Sequence, residues 1–345
     1  MSVLVTGGAG YIGSHMVLEL LDAGERVVVL DNLSTGFRWA VPPAATLIVG
    51  DFGDADLVAD LLARFEVDAI IHFAAKIVVP ESVADPLGYY ENNTAKARSL
   101  LAQAVKAGVP HFIFSSTAAV YGEPKASPVI EDAPKDPINP YGRSKLMVEW
   151  MLADVAAAHK LTYTALRYFN VAGADPKGRS GQSTPNATHL IKVAVQAALG
   201  KRQGMEVFGT DYPTPDGSCL RDYIHVTDLV RAHMDALRRL RAGGGNITCN
   251  VGYGRGYSVL EVIDTVKRVS GVDFKVRRSG RRAGDPASIV ASNGRIRREL
   301  GWEPRHDDLE QIVRLALDWE RGLEMRMAGR YACLIDRRPS TGYED

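Results

Sequence analysis

The stretch "VLVTGGAGYIGSH", Val3 to His15, decides how the rest of the chain is read. Val3–Thr6 is a short apolar strand stopped by glycines. "IGSHMVLELLDAG" then reads as a helix, with Met16, Val17, Leu20 and Leu21 on one face and Gly24 as its C-cap. Glycines stand at 7, 8, 10 and 13 between the two elements. Read from Gly8 the pattern is G-x-G-x-x-G; read from Gly7 it is G-x-x-G-x-x-G. The physics is the same in both. A tight turn without Cβ atoms lets backbone N–H groups and the N-terminus of the next helix meet a pyrophosphate. A glycine motif in isolation says little, but this one follows a strand and opens a helix, the context that gives it meaning.

Working outward, "RVVVLD" (Arg26–Asp31), "TLIVGD" (Thr46–Asp51), "DAIIHFAA" (Asp68–Ala75) and "HFIFSST" (His111–Thr117) are further continuous apolar runs. Such runs, buried on both faces, belong to a parallel sheet. Helical patterns around Leu57–Phe65 and Gly88–Ala107 separate them. This rhythm predicts an α/β fold with a doubly wound Rossmann sheet. Asp31 ends the second strand, 18 residues beyond Gly13. Its carboxylate would bind ribose hydroxyls and repel a 2′-phosphate, favouring NAD over NADP, with a loop N-cap as the alternative. Asp51, after the third strand, is placed to meet the adenine or to cap its own loop.

Tyr141–Ala158 reads as a long helix, and "YTALRYFNV" follows it as a strand. Past Asn170 the rhythm breaks at the polar loop "GADPKGRSGQSTPN". A helix at "HVTDLVRAHMDAL" and another opening with the capping box "SVLE" (Ser258, Glu261) come later. The expectation is a dinucleotide-binding domain over 1–170, with 222–255 returning to it. A smaller, interleaved α/β substrate lobe over 171–221 and 256–330 follows, and then a C-terminal tail over 331–345 whose last stretch, "RRPSTGYED", is expected to fray.

The 345 residues carry a formal net charge of zero. That leaves no basic field for nucleic acid or an anionic membrane surface. The local run "KVRRSGRR" (Lys275–Arg282) is either a solvated edge or a phosphate-facing cluster. No apolar stretch is long enough to span a membrane, and the N-terminus lacks the features of a signal peptide. Cys219, Cys249 and Cys333 form neither a metal spacing nor a disulfide framework. The expectation is a cytoplasmic protein without a metal.

In "NPYGRSKLMVEW" (Asn139–Trp150), Tyr141 stands four residues before Lys145, so a helix puts both on one face. A phenol is too weak an acid to serve as a base at neutral pH. A nearby ammonium, and the positive nicotinamide ring, favour the phenolate and make Tyr141 a plausible general base. A second Y-x-x-x-K, "YGEPK" (Tyr121–Lys125), contains Pro124, which disfavours a helix through it. Tyr141 is therefore the candidate and Tyr121 the decoy. Thr117, at the carboxyl end of its strand, lies where open α/β sheets bind ligands and could relay a proton or bond the reacting oxygen.

The chain resembles the extended short-chain dehydrogenase/reductase superfamily and, within it, the UDP-glucose 4-epimerases. The stretches that carry the resemblance include "VLVTGGAGYIGSH", "FIFSSTAAVYG", "PYGRSKLMVE", "LRYFNVAGA", "FGTDYPTPDGSCLRDYIHV" and "RRAGDPA". The resemblance implies a homodimeric NAD enzyme of galactose metabolism acting on a UDP-sugar through a 4-keto intermediate. In it Tyr141 is the base, Lys145 binds the nicotinamide ribose, and Thr117 touches the reacting oxygen. It implies NAD contacts from Gly7, Gly10, Tyr11, Ile12, Gly13, Asp31, Asn32, Asp51, Phe52, Phe73, Ala74, Ala75, Asn92, Ser115 and Phe169, besides Tyr141 and Lys145. Thr117, Asn170, His189, Phe208, Arg221, Arg282, Asp285 and Ile289 would contact the UDP-sugar. For Arg221, an ion pair with neighbouring Asp222 or another acid is the structural alternative.

Three positions depart from the family pattern. Lys76 comes one position early in "HFAAKIVVPES", with Ile77 where the best-known bacterial enzymes have lysine. His189 replaces an asparagine. Ile289 falls where enzymes of differing sugar preference carry Tyr, Cys or Ser. A nucleotide-sugar 4,6-dehydratase is disfavoured, because Ala118 and Ala119 fill the slots where its relatives place an Asp-Glu pair. Epimerases for UDP-GlcNAc/GalNAc or UDP-xylose/arabinose, and a non-catalytic NAD-binding regulator, remain the alternatives.

Overall fold

A computed structural model describes residues 1–184, 187–282 and 285–335. Its centre is a seven-stranded sheet of β1 (Ser2–Thr6), β2 (Val27–Asp31), β3 (Thr46–Val49), β4 (Val67–His72), β5 (His111–Thr117), β6 (Thr162–Tyr168) and β7 (Ile247–Val251). The order is β7-β6-β5-β4-β1-β2-β3, and every pairing is parallel. The chain winds outward from β1 to β3, then crosses back to β4 and winds the other way. The order therefore reverses between β1 and β4, which opens a crevice beyond their carboxyl ends. Phe73, just past β4, donates its N–H to the Thr6 carbonyl at 3.0 Å, so the two strands stay paired up to the mouth of that crevice.

Alternate residues of the strands feed two cores. On one face Val3, Val5, Val29 and Ile71 pack with Met16, Val17 and Leu20 of the helix Tyr11–Asp22, and with Leu229, Val230 and Leu237 of Val226–Arg241. On the other, Leu4, Val28, Ile70, Phe112 and Phe114 pack with Leu61 and Leu62 of Ala55–Arg64, with Leu100 and Leu101 of Lys96–Lys106, and with Val148 and Leu152 of Pro140–Ala158. Burial of each such side chain stabilises the fold by roughly 1.5–3 kcal/mol, an upper estimate because unfolded chains already hide part of this area.

One expectation needs correction, and another gains detail. β3 is an apolar run but not a strand buried on both faces: as the edge strand it has a single neighbour, and its residues are half-exposed or exposed. The predicted helix over Gly88–Ala107 is a composite of the helical turn Pro86–Tyr90, the wider π turn Glu91–Ala95 and the helix Lys96–Lys106. The last helix runs from Leu309 to Ile335, because its apolar face lies on the helices Leu190–Ala198 and Val259–Ser270 and carries helical structure onward. Residues 336–345 lie outside the described residues.

Beyond β6 the chain builds three small sheets. Asn170–Ala172 pairs with Tyr223–His225, and Met205–Phe208 pairs with Val276–Ser279. Leu220–Arg221 lies between Tyr257–Ser258 and Ser288–Ile289. The capping box forms as the spacing predicts: the Ser258 hydroxyl accepts from the Glu261 N–H at 2.9 Å, and the Glu261 carboxylate accepts from the Ser258 N–H at 2.6 Å.

Candidate active site

The glycine turn is built for close approach of a ligand. Gly7 has φ +73°, and a Cβ there would meet the Ala74 backbone nitrogen at 2.7 Å. A Cβ at Gly13 would lie 2.1 Å from the Gly7 carbonyl oxygen. At Gly10 that same oxygen is the only neighbour, at 3.3 Å, so the space beyond Gly10 is open. The helix that starts at Tyr11 has no side-chain cap and no acid in its first turn, so its N–H groups and dipole are directed at that space. Asp31 ends β2 beside the turn, accepting from the N–H groups of Ala9 at 2.9 Å and Leu33 at 2.8 Å. These residues fit a dinucleotide with free ribose hydroxyls.

The other expected cofactor residues ring the same crevice. Ile12 packs at the edge of the first core, and Tyr11 donates its hydroxyl to the Gly173 carbonyl at 2.7 Å. Asp51 is held by Lys96 at 2.6 Å and by the Gly53 N–H at 2.8 Å; burial opposes ionisation, but these partners hold the carboxyl below its ordinary value. Asn32 hydrogen-bonds Asp51 as well as the Ser34 N–H. Phe52 is buried against His72, and Phe73 lies 4.9 Å from His233. Ala74 and Ala75 follow β4 and lead to Lys76, whose backbone is clasped by Asn93: the Asn93 amide accepts from the Lys76 N–H at 2.8 Å and donates to its carbonyl at 2.9 Å. Asn92 and Asn93 share the π turn, a distortion common at functional sites. Lys76 itself turns to Asp85 at 3.6 Å, and Ile77 is exposed.

Tyr141, Lys145 and Thr117 meet at the carboxyl end of β5. The side chain of Asn139 caps the helix by accepting from the Gly142 N–H at 2.9 Å, and Pro140 occupies the first turn, where its missing N–H costs nothing. This start fixes Tyr141 and Lys145 one turn apart. Burial raises the Tyr141 phenol above its ordinary value, and a hydrogen bond with Thr117 pulls it back down. Lys145 is only 2 % exposed. It donates to the Ser115 carbonyl at 2.8 Å and lies 4.9 Å from the centre of the Phe114 ring. Burial pushes its ammonium down to about 7. The Ser115 hydroxyl is bonded to the Tyr168 phenol.

Tyr121 sits elsewhere. Its short 3₁₀ turn ends at Gly122, where φ is +63°, and Lys125 lies exposed in the loop beyond. The Tyr121 phenol donates to Asn250 at 2.7 Å, accepts from Arg167 at 2.8 Å and is pushed up to about 12 by burial. No helix carries this Y-x-x-x-K, and its tyrosine is locked into a buried network.

The remaining candidates come from the segments beyond β6. Asn170 and His189 share a cleft with Lys192 and Trp319; His189 is exposed and bonded to Gln182 at 2.8 Å. Arg221 donates to the carbonyls of Leu220 and Pro286, and its fork lies 3.7 Å from Asp285. Its chain neighbour Asp222 points the other way. Arg282 stacks on Phe208, 3.9 Å from the ring centre, while Arg281 pairs with Asp211 at 2.8 Å and Arg277 with Glu206. The basic run is thus partly neutralised, with Arg282 held on an aromatic ring. Ile289 is buried in a small apolar cluster with Ala118, Val120, Tyr121 and Leu146, against Phe169. It therefore packs with the segment that follows Thr117 and with a helical neighbour of Lys145. Ala283 and Gly284 of "RRAGDPA" lie outside the described residues.

Two supports escaped the sequence reading. Asp222 is fully buried and accepts from the N–H groups of Tyr253 at 3.0 Å, Gly254 at 3.0 Å and Ala291 at 3.2 Å, fastening the strand of Ile289 beside that of Arg221. Arg167 and Glu149 form a buried pair, with Nε to Oε1 at 2.9 Å, that braces β6 against the helix carrying Tyr141. Arginine inside an apolar strand was the one available signal. Among the described residues no helix is long and apolar enough to cross a membrane, and no group of three or more His, Cys, Asp or Glu is arranged to hold a metal ion.

A model of the NAD dependent epimerase/dehydratase family matches residues 3–252. A UDP-glucose 4-epimerase of Azospirillum brasilense is 58 % identical over 93 % of this chain and 92 % of its own. The solved UDP-glucose 4-epimerase of Brucella ovis, in complex with NAD, is 45 % identical over 92 % of this chain and 97 % of its own, with a TM-score of 0.90. The UDP-Glc/GlcNAc 4-epimerase of Campylobacter jejuni is 48 % identical over 93 % of this chain and 99 % of its own, with a TM-score of 0.82.

Proposed function

The chain belongs to the NAD-dependent epimerase/dehydratase family, and from the geometry of its crevice we propose that it inverts C4 of a UDP-hexose, interconverting UDP-glucose and UDP-galactose. The observation that carries the reading is the meeting of Thr117, Tyr141 and Lys145 at the carboxyl end of β5, in the crevice that the glycine turn borders. Glycines 7, 10 and 13 and Asp31 would hold NAD, which when bound supplies the acceptor that takes hydride from C4 and returns it to the opposite face. Tyr141 removes the proton of the 4-hydroxyl and gives it back after the sugar turns over. Thr117 holds the phenol and the reacting oxygen in line. Lys145 is buried and oriented by the Ser115 carbonyl, and its charge draws the phenol toward phenolate.

Arg221 and Arg282 bind the diphosphate, and Asp285 a ribose hydroxyl. Arg221 exchanges its contact with Asp285 for phosphate oxygens, a match that the guanidinium fork makes well. Asn170, His189 and Phe208 line the nucleotide-sugar channel. Offering the purified protein UDP-galactose, UDP-GalNAc, UDP-xylose and UDP-glucuronate tests the reading. UDP-galactose should turn over fastest; no turnover of any of the four would refute it.

A second reading, in which N-acetylated hexosamines are also accepted, is favoured by Ile289, a medium apolar wall where a larger ring would exclude more volume. The Campylobacter relative with its double sugar name supports it. Residues 1–170 with 222–255 form the dinucleotide half in this reading, and 171–221 with 256–330 the nucleotide-sugar half. The enzyme acts as a cytoplasmic homodimer in galactose metabolism. Val83, Leu87 and Trp150, which are 64, 78 and 56 % exposed on neighbouring helices, support that pairing surface.

A further inference from the structure

The segment after β2 closes on the glycine turn like a strap. Gly36 lies against Ala9, where a Cβ would meet backbone at 2.9 Å, and the Phe37 N–H donates to the Ala9 carbonyl at 3.0 Å. Between strap and turn is a cleft whose lining includes Gly10, Tyr11, Ser14, Phe37, Trp39 and Ser183. The strap's outer end carries Trp39, stacked on Phe37 at 5.1 Å and tilted against Trp319 at 6.4 Å. Trp319 belongs to the last helix, 280 residues away in sequence.

Trp319 is fixed from several sides. Its indole N–H donates to the Ser183 hydroxyl at 3.2 Å, Arg326 covers the ring at 4.4 Å, and Gly181 leaves room for it, since a Cβ there would lie 2.4 Å from the ring. Leu315, Leu323 and Ala174 complete an apolar cluster that Trp39 joins from the strap. The loop that bears Gly181 and Ser183 is itself tied to the dinucleotide helix through Ser180 and Ser14, whose hydroxyls are 2.7 Å apart.

We propose that Trp319 is a cofactor-retention residue, acting through Trp39 to hold the strap Thr35–Ala40 shut beside the dinucleotide turn. The inference rests on the reading of Gly7–Gly13 as the NAD site. Trp319 also borders the cleft of Asn170 and His189, but in this role it acts through Trp39, as a positioning residue. The clasp suits a reaction that regenerates its own oxidant and has no need to release it. Without the indole contact, the strap is held less firmly and opens more often, and bound dinucleotide leaves through the opening.

Trp39→Leu carries the test, because Trp39 is half-buried on a three-residue turn, whereas a truncated Trp319 would leave a core cavity. The milder Trp319→Phe keeps a ring in place and loses the Ser183 bond. NAD-loaded wild type and both variants are mixed with excess radiolabelled NAD, and exchange of bound for free nucleotide is timed; the melting midpoint is recorded at saturating NAD. Trp39→Leu should exchange at least about tenfold faster, the scale of one lost aromatic pair. Trp319→Phe should fall between, and the turnover of Trp39→Leu at saturating NAD should stay near wild type. A purely structural contact would lower the midpoint and leave exchange untouched; unchanged exchange in Trp39→Leu overturns the clasp. Wild-type protein that neither carries nor binds NAD would instead overturn the dinucleotide reading beneath it.

Discussion

Tyr121 and Tyr141 share the same local pattern with lysine, and the structure assigns them opposite sensitivities. Replacing either by phenylalanine deletes one hydroxyl and no packing volume. At Tyr121 the hydroxyl is the donor to Asn250, whose side chain is fully buried, and an acceptor from Arg167. Arg167 keeps the Glu131 carbonyl and Glu149, so its loss is partial. The Asn250 oxygen is left without its donor at a dry site, which costs about 1–3 kcal/mol. For a chain of this length the melting midpoint should fall by about 1–4 °C. At Tyr141 the hydroxyl bonds Thr117, and its loss removes that single hydrogen bond, so the stability change should be about 1 kcal/mol. Its loss removes the general base, and turnover should fall at least about 10²-fold. The assay is paired: thermal melting at saturating NAD, and kcat on UDP-galactose, for both variants. Tyr121→Phe should melt early and turn over within a few-fold of wild type, and Tyr141→Phe the reverse. If Tyr121→Phe lost turnover while Tyr141→Phe kept it, the assignment of the base would be refuted.

Three further outcomes are expected. NAD, and not NADP, should be found in the supernatant when the purified protein is denatured, as Asp31 at the end of β2 requires; recovery of NADP would sink that role. Ile289→Tyr should lower kcat/KM on UDP-GalNAc more than on UDP-galactose and Ile289→Ser should do the opposite, each on the 1–3 kcal/mol scale of a reshaped apolar pocket; a flat ratio across Tyr, Ile and Ser would remove Ile289 from the sugar. Lys145→Met should show a pH signature. Burial holds the ammonium near 7 in the folded chain, whereas the unfolded chain keeps its proton to about 10. Between those values the unfolded state binds more protons, so wild-type stability rises with pH by this term. The Met variant should therefore melt above wild type at pH 7, with an excess that shrinks toward pH 10; a constant excess would contradict the burial cost.

What the sequence disclosed were the parts whose physics is local. The strand, glycine turn and helix from Val3 to His15 need only their own residues, and so does the i, i+4 pairing of Tyr141 with Lys145. Pro124 was enough to demote Tyr121. The network that gives Tyr121 its actual task was hidden, because Glu149, Arg167 and Asn250 come together only when β5, β6, β7 and the helix Pro140–Ala158 are assembled. Trp39 and Trp319 were hidden for the same reason.

Arg221 marks the boundary between the two kinds of information. Of the two ion partners weighed for it, neighbouring Asp222 or another acid, the first treats adjacency in sequence as adjacency in space, and the second is the one it meets, in Asp285. Successive side chains of an extended segment point to opposite faces, so the pair is separated as soon as the segment is extended. The segment Leu220–His225 is extended, with strand pairing on either side of Asp222. Asp222 accordingly turns inward to three backbone N–H groups, and Arg221 turns outward to Asp285, 64 residues on. The alternation "CLRDYIH" was visible, with Leu220, Asp222 and Ile224 on one side. An acid on the apolar side of such a run has to be paired with donors, and backbone N–H groups, which leave no mark on the sequence, are the donors that do it here.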